Sequence, residues 1–130
     1  MYREKVLSML PIFDKAEVRI VEETVNNAIR YCSTVTATEA QLEILPYRCS
    51  PEELREEIAR LDTNRRRAHD AFISRVNVTN RLCAKHNLAV FYNGPDDRYD
   101  IGECAFQIYK EYDEIRQLLA EPHQRTRCLK

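Results

Sequence analysis

Three capping boxes divide this chain into helices more sharply than any other signal in it. Asp14 with Glu17, Ser50 with Glu53 and Asp100 with Glu103 each place a capping side chain three residues before a carboxylate. In that spacing each side chain satisfies an amide that the first helical turn leaves without a partner. Phe13 and Val18 stand at hydrophobic-staple positions around the first box, and Pro51 occupies the first helical position after the second. With two glycines and no tryptophan in 130 residues, the chain has few of the residues that tight turns require. Long helices joined by few loops are expected, and not a hairpin-rich β fold.

Apolar periodicity agrees with those starts. Val18, Val21, Val25, Ala28, Cys32, Val35 and Leu42 recur at three- and four-residue steps, predicting a helix over 14–45 that Pro46 ends. Within it, Ser33-Thr34-Val35-Thr36 is a β-branched run that weakens the helix locally. Leu54, Ile58, Leu61, Ala68, Phe72, Val76 and Cys83 predict a second helix over 51–86, and Ile101, Ala105, Ile108, Tyr112, Ile115 and Leu119 a third over 100–120. A short amphipathic helix precedes Pro11. The connection 87–99 carries the turn signal Asn93-Gly94-Pro95-Asp96, with Leu88 to Tyr92 as an extended stretch on the bundle. The fold class is therefore all-α: an antiparallel helical bundle built on a long hairpin, in a single domain 1–130 whose tail frays after about residue 121.

Composition removes several classes of function. Hydrophobic residues at 44% and charged residues at 32% describe a folded chain rather than a disordered one. A formal net charge of −1 argues against gross attraction to polyanions. Cysteines at 32, 49, 83, 104 and 128 are odd in number and form no CxxC pair, so neither a disulfide framework nor a metal site is expected, and no cofactor is implied. The first residues have no apolar run that would target or span a membrane, which predicts a cytoplasmic protein without a membrane partner. Glycine-rich phosphate loops, GxSxG and HExxH are absent. His86 at a helix end and His123 in the tail have no partner that spacing identifies.

Chemistry concentrates in Asn64-Arg65-Arg66-Arg67-Ala68-His69-Asp70. Helical geometry puts Arg65 and His69 one turn apart on one face, while Asp62, Arg66 and Asp70 form an i, i+4 ladder typical of a solvated face. Arg67 projects in a third direction. With the turn centred near residue 48, Val35 falls opposite Leu61, Cys32 opposite Arg65, Ala28 opposite Ala68 and Val25 opposite Phe72. Arg65 and His69 then form a polar layer in the seam, near Asn26, Asn27, Arg30 and Tyr31. Such a layer either fixes register, with Glu23 or Glu39 as partner, or binds an anion. Arginine outnumbers lysine fifteen to five, a bias suited to bidentate contacts with carboxylate or phosphate. Residues 63–85 carry a local balance of +5, but the flanking helices are acidic, so nucleic acid is a less favoured partner than a small anion.

The stretch from Leu61 to Ile73, continuing through Asn80-Arg81-Leu82-Cys83, resembles the signature helix of a small uncharacterised family of all-helical bacterial and phage-borne proteins; the likeness implies the fold and no activity. The pair Arg65 and His69 also resembles the catalytic motif of HEPN ribonucleases, helical bundles in which an arginine precedes a histidine by four to six intervening residues. Here the interval is three. That likeness implies Arg65 as the phosphorane-stabilising group and His69 as the proton carrier, completed across a dimer. The expectation reached from the residues is a non-enzymatic, homo-oligomeric binding protein whose Arg65, His69, Asn26, Arg30 and Tyr31 take a phosphate-bearing anion such as a nucleotide signal and sequester it. A ribonuclease and a ligand-free protein–protein adaptor are the alternatives.

Overall fold

The computed structural model describes residues 1–92 and 98–120, with 98–100 described as backbone alone. Five α-helices follow one another: α1 (Tyr2–Met9), α2 (Lys15–Ile44), α3 (Pro51–Lys85), α4 (Arg98–Lys110) and α5 (Tyr112–Ala120). The expected all-α architecture on a long hairpin is present, and no strand occurs among the described residues. The Asn93–Asp96 turn and the tail with His123 and Cys128 lie outside the described residues.

Two capping boxes form as their spacing requires. Asp14 Oδ1 accepts from the Glu17 amide at 2.9 Å while Glu17 Oε1 accepts from the Asp14 amide at 3.1 Å. Ser50 and Glu53 make the same reciprocal pair, both at 3.3 Å. The helix that carries the third box is described from Arg98, and the side chain of Asp100 lies outside the described residues. The β-branched run at 33–36 does not break α2, and Thr34 Oγ1 donates to the Arg30 carbonyl at 2.8 Å.

The expected third helix is two helices. At Glu111 the amide is shared between the Gln107 and Ile108 carbonyls, each at 3.2 Å, and the helix steps. The Glu111 carboxylate accepts from the Tyr2 amide at 3.4 Å and the Arg3 amide at 2.9 Å, so this residue caps α1.

The core gathers at one end of the hairpin. Val18, Val21, Val25 and Ala28 of α2 meet Phe72, Val76 and Cys83 of α3, and Ile101, Cys104, Ala105 and Ile108 of α4 close over them. Phe91, fully buried, brings the connection after α3 into that core, with its ring 5.0 Å from that of Tyr2. Asn80 holds the same segment by reciprocal hydrogen bonds with the Tyr92 amide and carbonyl, both 3.0 Å. Beyond Ala28 and Phe72, toward the turn, only Thr38 and Leu61 of the hairpin helices are buried. Leu42, Ile44 and Ile58 stand 40–45% exposed there, so the distal half of the hairpin is an arm.

The helices pair about one turn away from the expected register. Tyr31 stacks on Phe72 at 6.3 Å between ring centroids, about a turn and a half beyond Val25, the residue expected opposite that ring. Thr24 meets Thr79 at 2.8 Å. The cause lies in the connection. A single 3₁₀ turn (Leu45–Tyr47) prolongs α2, and the amides of Arg48 and Cys49 both return to the Leu45 carbonyl at 3.0 Å, which moves the reversal past residue 48.

Candidate functional site

The register decides where the arginine cluster lands. The polar layer in the buried seam is Thr24 with Thr79, both fully buried, and Arg65 lies outside it with 48% of its side chain exposed. A guanidinium one turn off the stripe keeps its hydration, which costs less than burying it. Asp62 holds it: Arg65 Nη2 is 2.8 Å from Asp62 Oδ1, and Arg66 Nη2 is 2.9 Å from Asp62 Oδ2. These hydrogen bonds and charges, that of Arg65 foremost, hold the Asp62 carboxyl below its ordinary range and in turn raise Arg65. Neither Glu23 nor Glu39 is the partner of Arg65; Glu23 pairs instead with Arg75 at 2.8 Å.

Three of the five expected site residues meet. Tyr31 of α2 and His69 of α3 face each other edge to face at 5.6 Å, and with Arg65 and Arg66 they line a cleft of about 170 Å³ at the base of the arm. His69 is more enclosed than either arginine there, with 20% exposure, and its Nδ1 lies 3.2 Å from Asp70 Oδ1. Burial raises the Tyr31 phenol, while the Arg65 charge pulls the other way. The arrangement offers two guanidiniums, an imidazole and an aromatic face to one anionic group. The cleft's volume lies below the roughly 300–1,000 Å³ of pockets that enclose drug-sized ligands, which is room for a small charged group and not for a whole nucleotide.

Asn26 and Arg30 lie elsewhere. Asn26 borders a hollow of about 250 Å³ between α2 and α5, with Glu22, Tyr112 and Arg116. Arg30 lines a wider groove of about 480 Å³ on the other side of the hairpin, with Arg60, Asn64 and Arg67. Residues 60, 64 and 67 follow i, i+4, i+7 spacing, so that face is legible in the sequence. Its pairing with Arg30, Thr34 and Gln41 across the seam depends on register, which the sequence leaves open.

His86 has a partner that spacing did not identify. Its Nε2 is 2.9 Å from Glu17 Oε2, its ring lies 5.1 Å from that of Phe13, and Lys85 Nζ reaches the same carboxylate oxygen at 3.2 Å. The hydrogen bond from His86, with that from the Asp14 amide, brings the Glu17 carboxyl down to about 2. The cluster ties the start of α2 to the end of α3. Cys83 and Cys104 are buried and Cys32 half-buried; burial pushes the Cys104 thiol up to about 11, which keeps it protonated. Among the described residues no group of three or more His, Cys, Asp or Glu side chains could hold a metal ion, and no helix is long and apolar enough to cross a membrane.

One family model matches residues 1–99, from α1 through the whole hairpin, and its description reads Protein of unknown function (DUF3232). The chain belongs to this family. Searches of the curated proteins and of the solved structures give no match. The matched span includes every residue of the Tyr31–Arg65–Arg66–His69 cleft and of the Arg30–Arg60–Asn64–Arg67 groove.

Proposed function

We propose that this protein is a non-enzymatic, cytoplasmic binding protein that sequesters a phosphate-bearing ligand, with the anionic head taken between Arg65, Arg66, His69 and Tyr31. One observation carries the reading: those four side chains, from two helices, border a single cleft, and Asp62 orients both guanidiniums at its rim. Preorganised arginines lose less freedom when an anion arrives, and the Tyr31 ring supplies an apolar wall for whatever the phosphate is attached to. A nucleotide or cyclic nucleotide fits this description with its base left outside the cleft. Self-association belongs to the same proposal, because Leu42, Ile44 and Ile58 lie exposed along the arm.

A thermal-shift panel of nucleotides, cyclic nucleotides and sugar phosphates tests the site. Stabilisation by at least one of them, lost in Arg65→Ala, is the expected result. Equal stabilisation of the native protein and Arg65→Ala, or none by any compound, sinks the proposal.

A ribonuclease is the second reading, favoured by one fact: Arg65 and His69 line the same cleft. In it His69 moves the proton and Arg65 stabilises the phosphorane charge. Labelled RNA incubated with the native protein and with His69→Ala separates the two readings. Cleavage that disappears with His69 supports the enzyme, and intact RNA in both samples leaves the binding protein.

A further inference from the structure

We infer that the groove on the other side of the hairpin is a second anion site, built for a linear run of phosphates rather than for a single one. Its walls come from both helices: Arg30, Thr34 and Gln41 of α2 face Arg60, Asn64 and Arg67 of α3. Leu61, Ala37, Ala68 and Ala71 also line it, and the three alanines are small enough to leave the seam open. From Arg30 to Gln41 the groove follows eleven residues of α2, about 16 Å at the helical rise. That length accepts roughly two or three consecutive phosphates of an extended single strand, about 6 Å apart, or about five of a condensed polyphosphate, about 3 Å apart.

Charge and chemistry narrow the ligand further. No carboxylate lines the groove, and Arg30 and Arg67 enter no ion pair among the described residues. Arg60 is the exception, with Glu57 Oε2 at 2.6 Å from its Nη2, and that pairing leaves the remaining guanidinium donors to turn toward the groove. The lining holds no aromatic ring, so it offers no platform on which bases stack. Guanidinium and amide donors in two rows read a phosphate chain by its charge and spacing and ignore what the chain carries. The ligand class is a linear oligophosphate, supplied either by the backbone of a single nucleic-acid strand or by a free polyphosphate. The inference does not rest on the Arg65–His69 cleft, which faces away from this groove.

Fluorescence anisotropy of a labelled oligothymidylate at low and moderate salt, with tripolyphosphate and orthophosphate as competitors, tests it. The groove predicts salt-sensitive binding that tripolyphosphate displaces at concentrations where orthophosphate does not. The double variant Arg30→Gln/Arg67→Gln weakens binding by about tenfold or more, while Arg30→Lys/Arg67→Lys retains most of it. Arg19→Gln with Arg81→Gln, exposed arginines that line neither the groove nor the cleft, stays within about twofold of the native protein, which separates the groove from diffuse surface charge. Calorimetry with tripolyphosphate alone distinguishes the sources: binding of tripolyphosphate but not the oligonucleotide assigns a free polyphosphate, and the reverse assigns a strand. If neither binds at low salt, or if Arg30→Gln/Arg67→Gln binds as tightly as the native protein with an unchanged melting curve, the inference is overturned.

Discussion

Thr24 and Thr79 share a hydrogen bond of 2.8 Å between hydroxyls at the fully buried centre of the hairpin, and Thr24 Oγ1 also lies 3.1 Å from the carbonyls of Ile20 and Arg75. These two residues are the polar layer of the α2–α3 seam, the place where Arg65 and His69 were expected to form one, whether to fix register or to bind an anion. A neutral hydroxyl pair fills that layer at far lower desolvation cost than a buried guanidinium.

Thr24→Val leaves the Thr79 hydroxyl without its partner in a dry seam, whereas after Thr79→Val the Thr24 hydroxyl still donates to the Ile20 or Arg75 carbonyl. Thr24→Val is therefore expected to cost about 1–3 kcal/mol in urea denaturation, Thr79→Val less, and the double change less than their sum. Strict additivity would show that the two hydroxyls are not coupled.

At the base of the hairpin, Glu17 links His86 and Lys85 to the start of α2, and its carboxyl falls from 4.5 to about 2 on folding. A lowered carboxyl stabilises the fold fully above the unfolded value and loses that contribution as pH falls through the folded one. The stability gap between the native protein and Glu17→Gln is therefore largest above about pH 4.5 and closes toward pH 2. Melting temperatures across that range check it; a gap that stays constant with pH contradicts the assignment.

Phe72 is fully buried where the arm meets the core, stacked with Tyr31. Phe72→Ala is expected to destabilise the protein by about 3–5 kcal/mol, through lost burial and the cavity left among Tyr31 and its neighbours. A cost below about 1 kcal/mol would mean that the arm collapses onto the vacancy.

Arg65, Arg66 and Asp62 form an exposed network. Exposed pairs of this kind contribute little to stability. Arg66→Ala should leave the melting temperature of the unliganded protein unchanged within error while reducing ligand-induced stabilisation. A large fall in the unliganded melting temperature would assign this network a structural role instead.

The helices were legible because their signals are local. Capping pairs at Asp14 and Ser50 act within one turn, and the apolar stripe of α2 and α3 repeats along a single helix. The site was legible in part, since Arg65 and His69 share a face by helical geometry alone, and Tyr31 joins them. Asn26 and Arg30 separate from that group because their neighbours belong to another helix or to the opposite side of the seam. The step at Glu111 was hidden as well, because its carboxylate serves the first turn of α1, more than a hundred residues away in the chain.

What the sequence determined by itself is the first three helices, the capped starts of α2 and α3 and the faces these two turn to each other, all consequences of spacing within about four residues. What only the tertiary structure decided is register. A 3₁₀ turn at Leu45–Tyr47 shifts α3 by about one turn against α2, and that shift places Thr24 on Thr79, brings Tyr31 to Phe72 and His69, and leaves the arginines of α3 on two solvent-facing sides of one hairpin. Desolvation chooses between the registers: the one adopted buries two hydroxyls that satisfy each other and leaves Arg65 in water.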